Sequence, residues 1–207
     1  MLNVEKLKNR DFVLVIDKSG SMDECDTRSG ASRWAEAQET TIALARKMTE
    51  FDPDGITVYT FAGGFKKYEN VTEAKVKDIF NENSPNGGTY LGPVLADIFA
   101  DYNKRKAAGT TKANGEVLMV ITDGQPADGM EAQKAIVNFG NALTNADDEY
   151  GIGFFQIGKD ATATKYLKNL DDGLVPAGAK HDIVDVKTSE ELENISITDA
   201  LLQALSD

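Results

Sequence analysis

The chain has 207 residues, 22 of them basic and 34 acidic, and a formal charge of −12. That length suits one domain over 1–207, with enough chain for a core on both sides of a sheet. The acidic balance argues against nucleic acid as a partner, since phosphate-backbone binding needs clustered Lys and Arg, and the single cysteine, Cys25, excludes an internal disulfide and fits a reducing compartment.

The N-terminal stretch Met1-Leu2-Asn3-Val4-Glu5-Lys6-Leu7-Lys8 lacks the apolar core of an export signal, and no window approaches a membrane span. A cytoplasmic protein is expected, unless the chain is cut from a larger exported one. The apolar run Phe12-Val13-Leu14-Val15-Ile16 predicts a strand over 12–17. A helix follows over 33–50, where Trp34, Ala37, Thr41, Leu44, Ala45 and Met48 recur at helical spacing and mark one buried face. Asp52-Pro53-Asp54-Gly55 turns the chain into a strand over 56–62. The link Gly63-Gly64-Phe65 allows only a hairpin, so the polar strand over 66–71 is antiparallel and lies at an edge. Helices are predicted over 73–81, with Thr72 as cap, and over 91–106. Then come a strand over 117–122, a helix over 130–145, a strand over 151–157, a helix over 162–170, a strand over 182–187 and an interrupted helix over roughly 190–205. Asp128 with Glu131, and Thr188 with Glu191, have the spacing of capping boxes. The basic cluster Lys104-Arg105-Lys106, followed by Lys112, falls at a helix end, where cations favour the dipole, and reads as a solvated terminus. Continuous apolar strands alternating with helices imply an α/β fold. It is a doubly wound, mostly parallel six-stranded sheet with helices on both faces.

Three segments carry the candidate chemistry. Asp17-Lys18-Ser19-Gly20-Ser21 places an acid and two hydroxyls at alternate positions on the turn that ends the first strand. Oxygen ligands from one short loop suit a hard divalent cation. Asn86-Gly87-Gly88-Thr89 is a glycine-lined loop ending in a hydroxyl, and Thr122-Asp123-Gly124 ends a second apolar strand in an acid. Each piece alone is weak, because Asp, Ser and Gly are common turn residues. In this order, Asp17, Ser19, Ser21, Thr89 and Asp123 resemble the metal-ion-dependent adhesion site of von Willebrand factor type A domains, without a substitution.

That resemblance covers nearly the whole chain and implies the Rossmann-like fold of the family, with strand order 3-2-1-4-5-6. The first and fourth strands then lie side by side where the winding reverses, the place where open α/β sheets bind ligands. It also implies that Ser19, Ser21 and Thr89 bind the ion directly, while Asp17 and Asp123 hold it mostly through water. An ion with few directly bound carboxylates keeps much of its charge and attracts a Glu or Asp side chain of a partner protein. Mg²⁺ suits such a half-hydrated site; Mn²⁺ fits similar ligands, and Ca²⁺ enters if the loop relaxes. The single His181 and single Cys25 cannot build a zinc cage. Tyr90, Gln125 and Pro126 would form part of the rim that selects partners. The segment 23–31, with Asp23, Glu24 and Arg28, is longer than the family usually has there; it is either a further part of that rim or a loose insertion.

Three functions follow. The first is a metal-dependent protein-binding module of the adhesion type. The second is a regulatory subunit of an intracellular AAA+ ATPase, a chelatase or a stress-resistance system. The third, a metal-dependent hydrolase, lacks parts. Ser19 stands where phosphatase chemistry needs a second acid, no base accompanies the serines, and Asp160 replaces the hydroxyl of the P-loop-like run Gly153-Phe154-Phe155-Gln156-Ile157-Gly158-Lys159-Asp160. No enzyme is expected.

Overall fold

The computed structural model describes residues 3–205, and of Ala146 and Asp147 the backbone alone. Met1 and Leu2, read for an export signal, and Ser206 and Asp207, which close the expected domain, lie outside the described residues. The strands are β1 (Asp11–Asp17), β2 (Ile56–Phe61), β3 (Phe65–Val71), β4 (Glu116–Thr122), β5 (Tyr150–Gln156) and β6 (Val184–Thr188). They form one sheet in the order β3-β2-β1-β4-β5-β6, parallel throughout except for β3, which pairs antiparallel with β2 at the edge. The helices are α1 (Arg33–Phe51), α2 (Glu73–Glu82), α3 (Gly92–Ala107), α4 (Gly129–Ala142), α5 (Ala146–Glu149), α6 (Ala161–Asp171), α7 (Ser189–Leu192) and α8 (Ile197–Gln203). The predicted order and type of elements hold, and the last helix is interrupted as expected. The helix predicted over 130–145 stops at Ala142, and the short α5 leads into β5 instead.

Strand alternation divides the core in two. From β1, Phe12, Leu14 and Ile16 join Ala37, Leu44 and Met48 of α1, Val76 and Phe80 of α2 and Leu201 of α8. Val13 and Val15 point the other way, to Val94, Leu95 and Ile98 of α3, Ile136 of α4 and Leu167 of α6. Each of these Val, Leu, Ile, Phe and Met side chains removed from water contributes about 1.5–3 kcal/mol, so the two layers hold the sheet beneath its loops. Two glycines of β5 serve this packing. A Cβ on Gly151 would collide with the carbonyl oxygen of Ala204, and one on Gly153 would lie 2.7 Å from the Met119 sulfur. The pair lets the chain just after α8 lie directly on the sheet.

Several capping expectations change. Thr188 and Glu191 do form a capping box. Thr72 precedes α2 but makes no side-chain cap bond. Asp128 does not cap α4; its carboxylate accepts the backbone N–H groups of Leu91 and Gly92 at 2.9 and 2.8 Å and so serves the start of α3. The N–H groups at a helix start need an acceptor, and Leu91 at that N-cap has none to offer. The basic cluster is only partly solvated: Lys104 is exposed as expected, but its neighbours are paired. Arg105 pairs with Asp101, Asp11 and the buried Glu116, Lys106 pairs with Glu149, and Lys112 pairs with Asp52 and Asp54. Strands β1 and β4 begin with Asp11 and Glu116 beneath the end of α3, so these cations are drawn inward. Among the described residues no helix is long and apolar enough to cross a membrane.

Candidate metal centre

Asp17 closes β1 and is 0 % exposed. Its Oδ1 accepts the Ser19 backbone N–H at 2.7 Å, and its Oδ2 accepts the Thr122 hydroxyl at 2.7 Å. Both donors are neutral, the Ser19 N–H and the Thr122 hydroxyl. Burial pushes it up to about 6; the bonds from Thr122 and Ser19 oppose that rise, and the nearby charge of Asp123 adds to it. A buried carboxylate without a counter-charge is a poor resident unless something positive joins it.

After Ser19 the chain makes one 3-10 turn, Gly20–Asp23, anchored by the buried Met22. The turn sets the Ser19 and Ser21 hydroxyls 3.2 Å apart, and the Ser21 hydroxyl lies 3.1 Å from Oδ1 of the buried Asp123. The loop bearing Thr89 is fastened to the same turn. Asn86 N–H donates to the Lys18 carbonyl at 2.7 Å, and Gly20 N–H donates to the Gly87 carbonyl at 2.9 Å. Gly87 has φ +81°, a conformation that glycine adopts without strain. On its other side the Thr89 carbonyl accepts the Ala127 N–H at 2.8 Å, just past Asp123. Thr89 is thus held between the two strand-end loops.

The candidate donors are the carboxylates of Asp17 and Asp123 and the hydroxyls of Ser19, Ser21 and Thr89. Among the described residues no three His, Cys, Asp or Glu side chains gather to hold a metal, so a nitrogen, sulfur or all-carboxylate cage is not what these residues form. Oxygen donors of low total charge, around an uncompensated buried Asp17, fit a hard divalent cation. Of the P-loop-like run 153–160, the first four residues belong to strand β5, and Asp160 accepts the N–H groups of Thr162 and Ala163 at 2.7 and 2.9 Å as the cap of α6.

The expected rim residues fall in different places. Tyr90, Gln125 and Asp23 are exposed, and Pro126 is buried. Glu24 is exposed with its carboxylate 3.0 Å from Arg33, and Arg28 pairs with Glu193 beyond α7. The segment 23–31 is fastened at both ends. The Arg33 N–H donates to the Glu24 carbonyl at 2.9 Å, and the buried Thr27 hydroxyl donates to the Ala31 carbonyl at 2.8 Å.

Two residues of the site escape the sequence reading. Thr122 orients Asp17, yet a threonine ending a strand gives no signal of that. Arg33 is the other, and its signal is visible: a cation at the first position of a helix opposes the macrodipole. Its Nη1 donates to Asp123 Oδ2 at 2.7 Å, and Nε and Nη2 grip both oxygens of Asp26 at 2.7 and 2.6 Å. Asp26 and Asp123 together hold the guanidinium well above its ordinary value against the cost of burial, and Arg33 in turn lowers Asp26.

Residues 12–125, more than half of the chain and the span that holds all five candidate ligands, match the family model for the von Willebrand factor type A domain. No curated protein matches the sequence. Among solved structures, the manganese-loaded TRAP protein of Plasmodium vivax is similar with a TM-score of 0.60 at 13% identity, over 94% of this chain and 74% of that one. The RO (RSR) protein of Deinococcus radiodurans is similar with a TM-score of 0.55 at 14% identity, over 95% of this chain and 35% of that one. At such identities the likeness speaks to fold alone, and it is the fold already traced strand by strand. This chain belongs to the von Willebrand factor type A domain family.

Proposed function

We propose that this domain is a metal-dependent protein-binding module. Ser19, Ser21 and Thr89 would hold one divalent cation, with Asp17 and Asp123 supporting it directly or through water. Mg²⁺ is the ion favoured by this donor set, with Mn²⁺ a close substitute; the manganese reported for the Plasmodium protein of similar fold supports a divalent ion. When bound, the ion offers an open position to a Glu or Asp carboxylate of a partner.

The observation that carries this reading is Asp17, a buried carboxylate held only by neutral donors at the mouth of three loops that are bonded to one another. The chain's own residues do the rest. Thr122 and the Ser19 N–H fix the Asp17 carboxylate, the backbone bonds between the loops hold the segments that carry the hydroxyls, and Tyr90 and Gln125, close in sequence to Thr89 and Asp123, are exposed. The net charge of −12 repels an acidic partner at long range, so the ion's local charge governs contact. No hydrolytic activity is proposed, because the bonds of the Ser19 and Ser21 hydroxyls run to each other and to Asp123, an arrangement without the base that activates a serine nucleophile. A cytoplasmic setting is proposed with it, on the single exposed thiol of Cys25.

Calorimetry with Mg²⁺ and Mn²⁺ on the wild type and Asp17→Ala tests the ion. Binding to the wild type alone supports the assignment, and equal binding to both removes it. A pull-down with and without EDTA tests the docking role; a partner retained unchanged in EDTA would place the interaction elsewhere.

A further inference from the structure

We infer that Arg33 is a built-in counter-charge of the metal site, weakening its hold on the ion and leaving the bound ion more attractive to an anionic ligand. The inference rests on the metal reading above and goes beyond it, because the five-residue motif contains no cation.

The geometry is specific. The two oxygens of Asp123 are divided: Oδ1 faces the Ser21 hydroxyl at 3.1 Å and Oδ2 accepts Arg33 Nη1 at 2.7 Å. Both partners of this ion pair are buried, the side chains being 5% and 0% exposed, so solvent screens it little. The guanidinium has a shaped slot. Asp26 grips it from one side through two bonds, Glu24 stands 3.0 Å away, and a Cβ on Gly158 would lie 2.6 Å from its Nε. A cation at the start of α1 runs against the helix dipole, so the slot, and not the helix, keeps it there.

Charge bookkeeping gives the consequence. Asp17 and Asp123 alone would neutralise a divalent ion. With Arg33 drawing on Asp123, less negative charge is left for the ion, and more of the ion's own charge is left for a partner carboxylate. The exposed acids of the 23–31 segment moderate this effect by sharing the guanidinium. That segment therefore acts on the metal through Arg33 as well as lying beside it.

The test is calorimetric titration with Mn²⁺ of the purified domain and three variants. R33Q is expected to bind Mn²⁺ roughly tenfold or more tightly than the wild type. R33K, which keeps the charge, is expected to stay near the wild type. D26N removes the acid that holds the guanidinium most closely, leaving more of its charge to act on Asp123, and is expected to bind more weakly. A merely structural role for Arg33 would make R33Q and D26N weaken binding alike, and that result overturns the inference. So does wild-type affinity in R33Q. If R33Q does not fold, D26N decides alone: unchanged or tighter binding overturns the inference. Asp17→Ala, run in parallel, separates the two claims. If it binds Mn²⁺ like the wild type, the metal reading itself falls; if it loses the ion while R33Q is unchanged, only the role of Arg33 falls.

Discussion

Thr122 at the end of β4 donates its hydroxyl to Asp17 Oδ2 at the end of β1 over 2.7 Å, with both residues buried. One central strand therefore aims the carboxylate of its neighbour. Thr122→Val keeps the shape and removes the donor. It should weaken Mn²⁺ binding about tenfold, the usual scale for partners that orient a metal-site residue. It should also cost about 1–3 kcal/mol of stability, because a buried carboxylate oxygen loses its bond. Calorimetry and urea unfolding on the same preparation check both numbers.

Asp128 joins the α4 end of the site to the Thr89 loop through the N–H groups of Leu91 and Gly92. Asp128→Ala should cost about 1–2 kcal/mol in urea unfolding, as the loss of a helix cap does. Mn²⁺ affinity should fall too, because Thr89 lies two positions before Leu91. Unfolding without a change in metal affinity would mean that Thr89 is positioned by its other bonds alone.

Gly151 carries the close approach of the chain after α8 to β5. Gly151→Ala would drive a methyl group into the Ala204 carbonyl. Overpacking of this kind costs about 1–3 kcal/mol. Thermal unfolding should show a lower midpoint, and hydrogen exchange should be faster across Ile197–Gln203 than across α1.

Glu149 gives a pH signature far from the metal site. Burial alone would raise its carboxyl. Lys106, the Tyr102 hydroxyl at 2.8 Å and the backbone N–H of Asn145 outweigh burial and leave it below its ordinary value. A carboxyl depressed in the folded state stabilises the fold above its unfolded value, 4.5, and loses that contribution as pH falls through the folded one. Glu149→Gln should therefore be about 1–2 kcal/mol less stable than the wild type at pH 7. The gap should narrow as pH falls below 4.5 and close once the folded carboxyl is protonated, as read by urea unfolding across a descending pH series.

The strands, the helices and the antiparallel edge were legible because each rests on short-range pattern. Val13 and Val15 alternate with Phe12, Leu14 and Ile16, and that alternation alone foretells two covered faces. The Thr188 capping box was legible for the same reason, since both partners lie within four residues. Asp128 misled because the identical local spacing was overridden by a helix start on another segment, whose unpaired N–H groups were the stronger claim.

By itself the sequence determined the acidic surface, the order of strands and helices, and the three loop segments carrying Asp17, Ser19, Ser21, Thr89 and Asp123. Only the tertiary structure decided what those residues face. Arg33 meets Asp123 across 90 positions and Thr122 meets Asp17 across 105, and no periodicity reaches so far. Arg105 and Lys106 were drawn to Asp11, Glu116 and Glu149 in the same way, while Lys104 stayed exposed. Hydrogen bonds and charges act within a few ångströms of space, whereas sequence patterns act within a few residues of chain. Where folding brings distant residues together, burial and partner are settled by the packed sheet, and with them the charge left at the site.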